Sequence, residues 1–238
     1  MKTKSKTYLL DPTMTKTARR LYERALLRLF RAYRREVQQL FDDARQLEAI
    51  QLDLSAYEAA IEAAAHSVII GPAHDVIQDR IKRTYINGIK RADPQSPGQL
   101  TPTDWRAIDA LETRNLTALQ KITTEMNGQI IRIISDSMLA GEHPRSIAKK
   151  ITERVDNIGL ARARTMARTE TVTAFNRGAQ IRYEQYGYTH WEWIAALDER
   201  TCPVCGALDG KVFKFGDSQD IPPAHPNCRC SIAPVEAP

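Results

Sequence analysis

Four cysteines and one histidine hold the densest chemical information in this sequence. Cys202 and Cys205 lie in Cys-Pro-Val-Cys-Gly, and His225, Cys228 and Cys230 lie in His-Pro-Asn-Cys-Arg-Cys. The chain has four cysteines in all, so every one belongs to this pattern. A Cys-x-x-Cys turn sets two sulfurs on one side of a tight knuckle. Gly206 is expected to permit the backbone turn that brings amides towards them. Nineteen residues separate Cys205 from His225, enough for a hairpin to return the second segment to the first. Tetrahedral zinc takes four nitrogen or sulfur ligands, so this spacing points to a structural metal.

Cys202 and Cys205 are the firmest ligands. Cys228 and Cys230 are close for two ligands on one ion, and His225 can replace one of them, so the set of four stays open. Two disulfides or four free thiols are the alternatives. A reducing cytosol disfavours the disulfides, although an oxidising exterior would allow them later. A redox role fits less well, because no thioredoxin-like βαβ pattern surrounds the pair. Structural zinc in small peptides contributes about 10–16 kcal/mol. A tail this short has little core of its own, so the ion would decide whether it folds.

A second chemical feature is cationic. Between positions 19 and 35 stand Arg19, Arg20, Arg24, Arg28, Arg31, Arg34 and Arg35, opposed only by Glu23 and Glu36. The net charge of +5 is modest. The run reads either as a solvated helix face or as a contact for nucleic acid or an acidic protein, through Arg24, Arg28, Arg31, Arg34 and Arg35. Around the cysteines, Lys211, Lys214 and Arg229 are outnumbered by Asp198, Glu199, Asp209, Asp217 and Asp220. That balance argues against a nucleic-acid contact there. His66 and His74 read as helix-end histidines rather than ligands.

The elements that must position these groups are mostly helices. The fold class is mainly α with a small C-terminal α+β module: an elongated helical bundle, then a short β-hairpin and a zinc-knuckle-type ending. Residues 1–14 read as a flexible segment, 15–92 as a helical region, 93–103 as a linker, 104–159 as a helical arm and 160–238 as the module. In the first helix Leu26, Phe30, Tyr33, Val37, Leu40, Ala44 and Leu47 form a heptad seam that needs a partner helix.

Ser55 and Glu58 form a capping box before an alanine-rich helix, which Gly71-Pro72 is expected to break. Asp104–Leu139 reads as one long helix, stopped at Gly141. A short helix over 146–155 and another over 160–186 follow, the latter closed by Gly187. Past Gly187 the period changes to two. Trp191 and Trp193 face one way and His190, Glu192 and Ile194 the other, which is a strand, with a second over 211–215 after Asp209-Gly210. No window is apolar enough to cross a membrane, and the first residues lack the apolar core of a secretory signal, so the protein reads as soluble and cytosolic when made.

A set of short motifs now falls in order: Ala167-Arg168-Thr169-Glu170, Asn176-Arg177-Gly178, Gly187, Trp191 and Trp193, Asp198, Cys202-Pro203-Val204-Cys205, Asp209-Gly210, and Pro222-Pro223-Ala224-His225-Pro226-Asn227-Cys228-Arg229-Cys230. Together they resemble the phage Mu F-like family of minor head, or head morphogenesis, proteins. The resemblance covers about the last 75 residues and extends less distinctly back to Gly141. It implies a minor structural protein of a tailed-phage head, present in few copies and acting in assembly or DNA delivery. The implied partners are the portal protein, the major capsid or scaffold protein and packaged DNA. The implied place is the virion, after assembly in the host cytoplasm.

The rival reading is a DNA-acting nuclease, or a nucleic-acid-binding zinc protein. A nuclease needs a general base, a divalent-metal site and a phosphate clamp, for which His190, Glu192, Glu170 and Arg168 are the candidates. Arg168, Thr169 and Glu170 sit mid-helix, where anchoring the helix onto the small module is the preferred role. No catalytic residue is assigned, and the chain is expected not to be an enzyme.

Overall fold

The computed structural model describes residues 15–46, 54–196, 198–217 and 219–236. Its helices are α1 (Lys16–Gln46), α2 (Leu54–Ala65), α3 (Gly71–Ala92), α4 (Pro102–Leu139), α5 (Pro144–Gln185) and the short α6 (Pro203–Leu208). Three strands follow α5: β1 (His190–Ile194), β2 (Val212–Lys214) and β3 (Ser231–Val235). The fold is therefore mainly helical, with a small antiparallel sheet near the C-terminus. Segment 1–14 and Leu47 lie outside the described residues, as does the Ala44 side chain.

The chain divides into two compact units. One gathers Glu23–Ile77 and Arg114–Arg164, the other Met1–Tyr22, Gln78–Thr113 and Thr165–Pro238.

The first unit is an apolar helical core. Leu26, Phe30, Tyr33 and Val37 of α1 are buried, and so are Ile61 of α2, Leu119, Met126, Ile130 and Ile134 of α4, and Ile147, Ile151 and Val155 of α5. The partner of the α1 seam is thus this same chain. Beyond Val37 the buried position is Phe41, stacked on Tyr57 with ring centroids 5.2 Å apart, while Leu40 is half-buried. A straight helix of 3.6 residues per turn drifts off a strict seven-residue repeat, and the buried stripe drifts with it.

Two helix breaks expected from the sequence are absent. Between α2 and α3 a π-helical turn, His66–Ile70, carries the chain through Gly71-Pro72 without a stop. Pro72 has no amide hydrogen to give and its ring would press on the preceding turn. The wider π turn relieves that crowding, and the Gly71 amide bonds back to the His66 carbonyl. Likewise α5 runs unbroken through Gly159. A Cβ at Gly159 would stand 3.2 Å from Phe30 Cβ, so the missing side chain is what lets the Phe30 ring seat there. A glycine in a helix interior costs about 1 kcal/mol.

In the second unit α3 and α5 cross backbone to backbone. A Cβ on Gly88 would fall on the Phe175 carbonyl, and one on Gly178 on the Tyr85 carbonyl. The α4 start is fixed by a reciprocal cap. Thr101 donates its amide and hydroxyl to Asp104 Oδ2 at 2.8 and 2.6 Å, and the Asp104 amide returns to Thr101 Oγ1 at 3.2 Å. The other Asp104 oxygen accepts from the buried Tyr85 hydroxyl at 2.8 Å.

The sheet has the order β2-β1-β3. Trp191 sits across from Phe213 on one side and Pro234 on the other, and Trp193 across from Ile232. Both tryptophans are fully buried while His190, Glu192 and Ile194 are half-buried. The expected two-stranded hairpin is therefore a three-stranded sheet. β3 hides from a pattern-based reading because Pro234 interrupts it, and only an edge strand tolerates proline.

Candidate metal centre

Cys202 caps the N-terminus of α6, and its sulfur accepts the Cys205 amide at 3.4 Å. This contact makes the knuckle. Gly206 lies within α6 without a left-handed φ, so the Cys205 amide, not a glycine turn, reaches the sulfur. Pro203 in the first turn presets the helix.

The second segment returns after β2 and brings His225 between the two knuckle sulfurs. His225 Nε2 lies 3.2 Å from Cys202 Sγ and 3.1 Å from Cys205 Sγ. Cys205 Sγ is 3.8 Å from Cys228 Sγ. Two thiolates bound to one tetrahedral zinc at about 2.3 Å each would stand about 3.8 Å apart. Two groups of side chains are close enough to hold an ion: Cys202, Cys205 and His225, and Cys205, Cys228 and Cys230. They share Cys205. Among the described residues no other histidine, cysteine or carboxylate cluster has that geometry, so His66, His74, His190 and Glu192 are in none.

The histidine is prepared for ligation. Its Nδ1 lies 2.8 Å from the Pro226 carbonyl oxygen, which can only accept. The proton therefore sits on Nδ1 and the Nε2 lone pair faces the sulfurs. The same bond, with the neighbouring thiols, raises the His225 pKa.

The sulfurs are unequal. Hydrogen bonds from the Cys230 thiol, and from the Cys230 and Ala224 amides, bring Cys228 down to about 5. Burial pushes Cys205 up to about 12. Cys230, donating to Cys228 and buried, is raised further still, while the Cys205 amide lowers Cys202. A cluster of this kind cannot ionise every sulfur by itself, and a divalent cation held there would supply the missing positive charge. All four cysteines are free, and 3.8 Å is far from the roughly 2.05 Å of a disulfide.

Three sets of contacts that the sequence did not announce hold the return segment, one to the knuckle side and two to α5. Asp198, just before the knuckle, pairs with Arg229, which lies between Cys228 and Cys230. That guanidinium, helped by Arg200 at 3.0 Å, holds the Asp198 carboxyl far below the usual carboxylate range. Asn176 on α5, fully buried, donates to the carbonyls of Pro222 and Cys230 at 3.1 Å each and accepts from Ser231 Oγ at 2.9 Å. Asn227 adopts a left-handed φ of 66°, which presents its amide to Thr169 Oγ1 at 3.1 Å and its side chain to Thr165 Oγ1 at 3.3 Å. The only sequence signal for these residues was their presence among the recognised motifs.

The remaining candidates fall as follows. Thr169 meets the returning loop through Asn227, while Glu170 is buried on α5 and Arg168 half-buried. Arg24, Arg28, Arg31 and Arg35 are exposed on α1, and Arg34 pairs with Asp156 at 2.8 Å.

Residues 128–233 match the family profile described as Phage Mu protein F like protein, so the family recognised from the sequence is the one that the comparison finds. The match begins 13 residues before Gly141 and takes in α5, β1, β2, the first part of β3 and the whole cysteine cluster. An "Uncharacterized protein" of Haemophilus influenzae is 26% identical over 145 residues, covering 57% of this chain and 31% of its own length. The "Putative capsid assembly protein F" of Escherichia phage Mu is 26% identical over 161 residues, covering 58% and 36%. A further uncharacterized protein, from Methanocaldococcus jannaschii, is 24% identical over 133 residues, covering 56% and 21%. The matched regions thus amount to about a third or less of these relatives' lengths. No solved structure matches.

Proposed function

We propose that this chain, whose residues 128–233 match the phage Mu F-like family, is a minor structural protein of a tailed-phage head, acting in head assembly beside the portal. The match carries the proposal. It is supported by the relative from phage Mu, which is named for capsid assembly. The partners are then the portal protein and the major capsid or scaffold protein, and the working location is the virion. Quantitative mass spectrometry of purified heads tests this. The expected result is a copy number far below that of the major shell protein. Absence from heads while the protein is abundant in infected cells would overturn it in favour of a transient assembly factor or an enzyme.

Within this role the C-terminal module is a docking piece fixed by zinc. Cys202, Cys205, His225 and Cys228 would hold the ion, with the Cys230 thiol bonding to Cys228 from outside. Three contacts support that choice, His225 to Cys202 and to Cys205 at 3.2 and 3.1 Å and Cys205 to Cys228 at 3.8 Å, together with the donation from Cys230 to Cys228. The ion would supply charge to keep three thiolates ionised and a fixed point joining the knuckle to the return loop. Metal analysis of the purified chain should give one zinc. C228S should lose it and C230S should keep it; the reverse pattern would exchange the roles of the two cysteines.

A further inference from the structure

Two buried polar atoms of the C-terminal module each lack what the other could supply. Trp193 is fully buried, and its indole N–H meets no hydrogen-bond acceptor among the described residues. A buried donor left in this state is costly, so its position calls for a reason. The second atom is a sulfur. Of the ligand sulfurs proposed above, Cys202 accepts the Cys205 amide, and Cys228 accepts the Cys230 and Ala224 amides. The buried Cys205 sulfur hydrogen-bonds only with the His225 ring and with other sulfurs. Among the described residues it has no N–H donor, since the His225 proton sits on the other ring nitrogen.

The fold anchors both atoms in one core. The Trp193 amide donates to the Lys211 carbonyl, and the Trp193 carbonyl accepts the Gly210 amide, at 2.9 Å each. Gly210 and Lys211 form the turn that leaves α6, the helix that carries Cys205. Across the sheet Trp193 pairs with Ile232, two residues beyond Cys230. The ring is therefore tied to both ligand-bearing segments, and it shares a buried core with Cys205, Cys228 and Cys230. A thiol is a weak hydrogen-bond acceptor, whereas an ionised acceptor makes a strong bond. Three thiolates around a divalent ion leave a net negative charge in that core, which is stable only where donors share it.

We propose that Trp193 is a positioning residue of the metal centre, its indole N–H donating to the Cys205 thiolate when zinc is bound. The inference rests on the zinc reading above. The bond gives the indole its acceptor and the Cys205 sulfur its N–H donor. It also fixes the direction in which the sulfur presents its remaining lone pairs, as groups bonded to metal ligands do.

Nuclear magnetic resonance of the full chain tests it without any substitution. The chain is labelled at the indole nitrogens and loaded with a spin-active cadmium isotope in place of zinc. Of the three tryptophan indole signals, that of Trp193 alone should split by coupling to the ion through the sulfur. W193F removes and so assigns that signal, and should lower zinc affinity about 10–100-fold. With cobalt(II) at the site, W193F should also move the sulfur-to-metal charge-transfer band to lower energy, because the thiolate then holds its electrons less tightly. W191F takes a ring from the same core but leaves this donor, and should leave the band where it is. A native chain that takes up no zinc would overturn the zinc reading, and the donor with it. Zinc uptake with an unsplit Trp193 signal would overturn the donor alone, and so would equal band shifts in W191F and W193F.

Discussion

The two units of this chain reach a fixed structure by different means. In the unit built from Glu23–Ile77 and Arg114–Arg164, isoleucines, leucines and aromatic rings interdigitate, and a glycine at 159 makes room for Phe30. The C-terminal module has two tryptophans and a few apolar neighbours, and three of its core residues are themselves cysteines: Cys205, Cys228 and Cys230. What burial cannot supply there comes from pointed contacts: a buried asparagine that bonds two carbonyls and a hydroxyl, an aspartate–arginine pair, and a cysteine–histidine cluster close enough to hold an ion. Distributed packing tolerates losses in increments. A module held at a few points fails when one of them goes.

The sharpest way to break that contrast is at Cys205, the sulfur common to both ligand groups. C205S should abolish metal binding and unfold the module, a loss of about 10 kcal/mol if the ion contributes as in small zinc domains. Trp191 and Trp193 would become exposed, and their emission would shift to the red while most far-ultraviolet helix signal persisted. Retained blue emission would mean that the module stands on its apolar core alone. The matching cut in the other unit is F30A, which should cost about 3–5 kcal/mol as a cavity opens beside Gly159. Denaturant melts followed by circular dichroism would register it, and the metal should stay bound.

The smallest expected change is also the most discriminating. N176A withdraws one side chain from two buried carbonyls and the Ser231 hydroxyl, and should cost about 1–3 kcal/mol in all once the local structure relaxes. It should accelerate removal of the ion by a chelator, whereas F30A should not. Equal chelation rates in the two variants would erase the distinction between a pinned module and a packed one.

Local chemistry was legible in the sequence and long-range closure was not. The alternation of Trp191 and Trp193 announced β1, and Cys-x-x-Cys with His-Pro-Asn-Cys announced the cluster. The heptad of α1 announced a buried face, though the drift from Leu40 to Phe41 needed the real helical pitch. Gly71-Pro72 reads as a break because both residues are unfavourable inside a helix taken alone, and the span 156–159 separates the two helices expected over 146–155 and 160–186. A π turn and a ring from another helix outweigh that local preference. Asn176 offered no periodicity at all: its partners are 46 to 55 residues away, and its buried amide acquires meaning only when they arrive.

The crossing of α3 and α5 has a mechanical consequence. At Gly88 and Gly178 no side chain lies between the two backbones, so there is no soft layer to shear. Side chains can hop between rotamers and so soften a helix contact, whereas main-chain atoms in mutual contact have no rotamers to change. β1 begins twelve residues beyond Gly178 on the same run of chain. A side chain at either glycine would force the backbones apart, so the spacing of α5 from α3, on the run of chain that leads into the module, is set by main-chain atoms alone.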